Sequence, residues 1–207
     1  MTTDVLRQAV QFQATKLGPR LFEGMSYATA DADRRVHGLD HTKYPHLRPL
    51  LTRSLLREYL ESNGLPTGWR LEGNPALMGQ LMLASPENQM IMRFLKERRR
   101  AYPGGVPVAG SSTARQQYWD LDGGGRSDWE ANLLLLWDYI PVVDGIWGFT
   151  LRIVNTIESG IFGREVRCDL NLDVVGGGEI FDNLEWQGDE QEQSFFNVEV
   201  DPAANDW

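Results

Sequence analysis

Near residue 130 the spacing of apolar residues changes from helical to alternating, and this constrains the fold more than any other feature of the chain. A period near 3.6 buries one face of a helix, whereas a period of two buries one face of a strand. The first half is therefore expected to supply helices and the second half a sheet.

In the first half, Val5, Leu6, Ala9, Val10 and Leu17 follow helical spacing behind Thr3 and Asp4. "LGP" at 17–19 reads as the stop, and "MSYATADADRR" after it as a loop. Leu47, Leu51, Leu55 and Tyr59 recur every four residues, widened by Leu50, Leu56 and Leu60, and "SNGLP" ends that helix. "GWRLEG" and "LMGQLMLAS" resemble two short strands. Ser85 followed by Pro86 then reads as the start of a further helix, with Met90, Ile91, Phe94 and Leu95 on its buried face and "KERRRAYPGG" at its end.

Beyond 130, "NLLLLWDYI", "WGFTLRIVNTI", "REVRCDLNLDVV", "EIFDNLEW" and "FFNVEV" are five strand candidates with short connections, which favour an antiparallel meander with one wet face. In the third, Val166, Cys168, Leu170, Leu172 and Val174 alternate with Glu165, Arg167, Asp169, Asn171 and Asp173. The expected class is α+β, with N-terminal helices packed on a C-terminal antiparallel sheet. A helical region plus a small β-sandwich is the alternative. Glycine- and proline-rich stretches at 103–110 and 122–127 mark the breaks between helical and sheet portions, and glycine runs at 123–125 and 176–178 fit turns. At 207 residues the chain suits one compact unit.

Charge divides in nearly the same place. Residues 1–118 form a basic, mainly helical region with 16 Lys or Arg against 10 Asp or Glu; residues 119–207 form an acidic β region with 4 against 19. That asymmetry admits an anionic partner for the first region, a cationic partner for the second, or attraction between them. No apolar run reaches membrane-spanning length, and "MTTDVLRQAV" lacks the apolar core of a signal peptide, so no membrane partner and a cytoplasmic location are expected. The single cysteine, Cys168, excludes an internal disulfide and any cysteine-rich zinc site. It reads as a small buried hydrophobe.

Four groups of residues carry possible chemistry. His37, His41 and His46, with Asp40 among them, offer imidazoles for a catalytic zinc, but without an HExxH helix, and Pro45 opposes a continuous helix through them. A loop is the simpler reading. Lys96, Arg98, Arg99 and Arg100 suit phosphate contacts, or the cations favoured at a helix C-terminus. Ser111, Ser112 and Arg115 resemble an anion-binding helix start, though the Gly-Lys-Ser/Thr ending of a P-loop is missing. Asp169, Asn171 and Asp173, with Glu185 or Asp138, form a polar row that can face a basic protein or a divalent cation.

The leading expectation is a non-enzymatic binding or regulatory protein, without a cofactor, that engages a basic protein surface through its acidic face. A metal-dependent hydrolase using zinc on the three histidines is one alternative. Nucleic-acid binding through the basic first region is another.

Overall fold

The computed structural model describes residues 5–110, 116, 118–119, 131–140 and 148–181 in full, and the backbone alone of 3–4, 141–143, 146–147 and 182. Two helices, α1 (Thr3–Arg35) and α2 (Leu47–Asn63), precede seven strands: β1 (Arg70–Glu72), β2 (Met82–Ser85), β3 (Met90–Lys96), β4 (Ala131–Val143), β5 (Ile146–Thr156), β6 (Cys168–Val174) and β7 (Ile180–Asp182). The strands form one sheet in sequence order, every neighbouring pair antiparallel except β3 and β4. The α+β class holds, and the described strands form one sheet rather than a sandwich.

Helix α1 runs well past the expected stop at Gly18 and Pro19, and the segment read as a loop is helical. Its buried stripe shows why: Val10, Ala14, Leu17, Leu21, Met25, Ala28 and Ala32 recur at intervals of three and four on both sides of the proline. Packing of that stripe outweighs the one backbone bond that Pro19 cannot make. The residues around Pro19 also meet a second backbone, since a Cβ on Gly18 would lie 2.1 Å from the carbonyl oxygen of Gly178. The 176–178 glycine run is thus both a turn and the point where the chain returns onto α1.

The expected helix after Ser85 is a single 3₁₀ turn, Pro86–Asn88, followed by strand β3. Met90, Ile91, Met92 and Phe94 are all buried. A strand covered on both faces yields an apolar cluster that imitates helical spacing. With that helix gone, Lys96 and Arg98–Arg100 are not a helix C-terminus, and the dipole explanation for them falls away.

Both helices cover one face of the sheet, where Leu133, Leu135, Trp137, Leu151, Ile153, Leu170 and Leu172 join the helical stripe in the main core. The parallel β3–β4 pair requires a crossover, and the described part of the connecting chain packs on the opposite face. There Val106, Ala109 and Trp119 bury Leu134, Leu136 and Val154. Tyr118 and Trp119 fasten this cover: the Trp119 indole N–H donates to the Pro107 carbonyl at 2.9 Å, and Thr156 Oγ1 donates to the Trp119 carbonyl at 3.0 Å. The run Leu133–Leu136 is fully buried because β4 is central and covered twice, so the expected wet face is absent at the middle of the sheet. Strands β1–β3 come from before residue 118 and pair directly with those after it, so the charge boundary is not a boundary of the sheet.

Candidate functional site

Strand β3 ends at Lys96 while β4 continues to Val143, and the chain turns away between them. The turn is tight: the Ala101 and Tyr102 N–H groups donate to the Arg98 carbonyl at 2.8 and 2.9 Å, and the Arg98 N–H donates to the Gly105 carbonyl at 2.9 Å. This leaves a groove of about 750 Å³ lined by Pro45 and His46, by Lys96 to Ala101, and by Asp138 and Tyr139. All four cations singled out at 96–100 line it.

Each carboxylate in the groove is already engaged. Glu97, whose side chain is fully buried, accepts from Arg99 Nε and Arg152 Nε, both at 2.6 Å. Asp138 pairs with Lys96 and also accepts the Tyr139 N–H at 2.8 Å. Arg98 and Arg100 are exposed and, among the described residues, have no carboxylate partner; the Arg98 guanidinium lies 5.7 Å from the Tyr102 ring centroid. Two positive charges therefore remain available at the groove's rim.

The groove's rear wall is tied to both helices. Arg48, buried at the start of α2, pairs with Asp33 of α1 and stacks 4.1 Å from the Tyr139 ring centroid, while Tyr139 Oη lies 3.0 Å from Thr52 Oγ1. Burial is the main cause that pushes the Tyr139 hydroxyl up to about 12. It remains a neutral phenol at ordinary pH.

The other sequence-derived groups are dispersed by the fold. His37 and His41 border a separate hollow between α1 and the β4–β5 pair, whereas His46 stands in the basic groove. Asp40 Oδ1 accepts from Thr42 Oγ1 at 2.7 Å, Thr42 N at 2.8 Å and Lys43 N at 3.4 Å. The Thr42 hydroxyl, then these N–H groups, hold its carboxyl below the usual range. Through Oδ1, Asp40 closes a turn. Among the described residues, no three His, Cys, Asp or Glu side chains converge on a point where one cation can be held. The zinc reading has no geometric support.

The hollow beside His37 is larger, about 880 Å³, with an apolar floor of Phe22, Phe149 and Ile140. Its polar rim is already occupied: Ser26 and Thr29 donate to α1 carbonyls, Arg34 binds Asp31, and Asp33 binds Arg48.

The acidic row is divided by a β-bulge. Asn155 pairs with Leu170 but Thr156 pairs with Cys168, leaving Asp169 unpaired between them. The extra residue reverses the alternation. Asp169 takes a 2.8 Å bond from the buried Asn155 Nδ2 and lines a crevice with Arg7 of α1, while Asn171 lines the opposite face with Arg152 and Val154. Asp169, Asn171 and Asp173 do not form one acidic face, and Asp138 is committed to Lys96. Cys168 is half-buried, and burial pushes its thiol up to about 12, against a nucleophilic role. Ser111, Ser112, Arg115, Glu185, the glycine run 123–125 and the candidate strand "FFNVEV" lie outside the described residues.

The groove combines segments that only the tertiary fold brings together. The cation run was visible in the sequence; that it shares a groove with Pro45 and His46 was not, because that depends on β3 stopping short of β4. No helix among the described residues is long and apolar enough to cross a membrane. Comparison with known protein families, with curated proteins and with solved structures finds no match to this chain.

Proposed function

We propose that this chain is a binding protein that receives an anionic segment of a macromolecular partner in the groove lined by Lys96 and Arg98–Arg100. The observation that carries this reading is the charge state of the groove: its two carboxylates are neutralised internally, while Arg98 and Arg100 remain exposed without carboxylate partners among the described residues. Guanidinium groups in this state gain most from phosphate or carboxylate oxygens supplied by another molecule. The reading keeps the expected class, a protein acting through a charged surface, and reverses the sign of that surface. The basic segment is gathered into one groove, and the acidic row is split between two faces.

The test is fluorescence anisotropy of the full chain against a panel of labelled polyanions: oligothymidylate, a DNA duplex, polyphosphate and polyglutamate. At about 50 mM salt at least one should bind with a dissociation constant near or below about 100 µM, the range of electrostatic binding by a few cations. Replacing Arg98 and Arg100 together with alanine should weaken it at least about tenfold. Binding by none of the four, or equal binding by the double variant, would overturn the assignment.

A further inference from the structure

We infer that the partner received by the groove is single-stranded nucleic acid, with phosphates on Arg98 and Arg100 and unpaired bases on Tyr44 and Phe162. This rests on the groove being the binding surface, and it adds three observations.

The first is a pair of exposed aromatic rings, each next to a segment that lines the groove. Tyr44 stands immediately before the Pro45–His46 wall, with 39% of its surface exposed and the Lys43 ammonium 5.5 Å from its ring centroid. Phe162 is 74% exposed. Its ring is held edge-on against the buried Tyr102 at 5.5 Å, the same ring that carries Arg98. Lys43 and Arg98 thus each stand beside an aromatic ring, one in the segment that leads into Pro45 and His46 and the other against the turn that follows Arg98. Alternation of cations with accessible rings is the arrangement that binds a flexible strand, because every base has a face to stack and every link has a charge.

The second observation separates a nucleic acid from an acidic peptide. An extended peptide in this groove would gain most by pairing with β4 where β3 no longer covers it. That edge is blunted: the Tyr139 N–H is taken by Asp138 at 2.8 Å, and two residues on, Pro141 has no N–H to donate. A nucleic-acid strand needs no backbone pairing and loses nothing there.

The third separates a single strand from a duplex. In a duplex the base faces are covered by their neighbours, so Tyr44 and Phe162 would have nothing to stack on. Only unpaired bases use both rings.

The experiment is anisotropy with the full chain on a labelled oligothymidylate of about 15 nucleotides, with competition by unlabelled duplex, long-chain polyphosphate, polyglutamate and phosphatidylserine vesicles, since a stacked base adds about fivefold or more to affinity. Oligothymidylate should bind at least about fivefold more tightly than each competitor at equal anionic charge. Tyr44→Ala and Phe162→Ala, both at exposed positions and checked for folding by circular dichroism, should each weaken oligothymidylate about fivefold while leaving polyphosphate binding unchanged. If polyphosphate matches oligothymidylate and both variants are silent, the strand assignment is wrong and the anionic groove stands. Tighter binding of duplex, polyglutamate or vesicles would likewise replace the strand with that partner. If no polyanion binds, the groove itself is misread and both conclusions fall together.

Discussion

A methyl group at Gly178 has no room. It would lie 2.2 Å from the Pro19 nitrogen and 2.4 Å from the Gly18 carbonyl carbon, at a φ of +87° that side chains resist. Gly177 has nearly the same φ, +77°, with open space around it. The pair therefore isolates the clash: Gly177→Ala should cost about 1 kcal/mol in urea denaturation, and Gly178→Ala about 2–4 kcal/mol. Equal losses would mean that the close approach to α1 contributes nothing. A second residue-scale consequence concerns Tyr139, whose hydroxyl burial pushes up to about 12. An unfolded tyrosine ionises near pH 10, so the folded form holds its proton longer. Its stabilising contribution is complete below pH 10 and is lost as pH rises from 10 to 12. Urea titrations across that window should show stability falling more steeply in the native chain than in Tyr139→Phe. Neither effect is legible in the sequence, where Gly178 is one of three adjacent glycines and Tyr139 one of six tyrosines. Both depend on what the tertiary structure places against them.

At the scale of elements, the sheet's second half was readable because β4 to β7 are apolar segments of strand length joined locally. Helix α2 was readable from its leucines and its Asn-Gly stop. What the sequence concealed were the places where tertiary packing overrides a local signal: the proline inside α1, the strand β3 buried on both faces, and the bulge that reverses β6. One such hidden contact controls the candidate site. Glu97 was only a letter within the basic run, yet its buried carboxylate ties Arg99 of the turn to Arg152 of β5, and Arg152 also donates to the Gly104 carbonyl. Removing one member of a buried ion network strands the others, so Glu97→Ala should cost about 3 kcal/mol in thermal or urea unfolding. It should also weaken polyanion binding although it makes the groove formally more positive, because the turn loses its anchor. If Glu97→Ala instead bound more tightly in proportion to its added charge, the carboxylate would be acting only as a neutraliser. Arg98→Ala, by contrast, should lower affinity without measurable loss of stability.

Across the whole molecule the net charge is −9 while the proposed binding groove is basic, and salt separates the two contributions. Residues 183–207 alone contribute seven acidic side chains and no Lys or Arg. At about 0.1 M salt the screening length is about 10 Å, so a bound strand interacts mainly with the nearby cations; at about 0.01 M it is about 30 Å, and the acidic half repels the strand as well. A basic nucleic-acid-binding protein gives a straight line of log affinity against log salt, with a slope of about −0.7 per phosphate neutralised on a single strand. Here the line should be straight only above about 0.1 M, with a slope of about −1.4 if Arg98 and Arg100 each meet one phosphate. Below about 0.03 M it should flatten or turn over as long-range repulsion grows. Anisotropy titrations of oligothymidylate from 10 to 300 mM salt measure both limbs. Arg98→Ala should reduce the upper slope by about 0.7 and leave the low-salt curvature in place. A line that stays straight to the lowest salt would mean that the acidic half lies out of reach of the bound strand, whereas an upper slope unchanged by Arg98→Ala would place the binding elsewhere on the molecule.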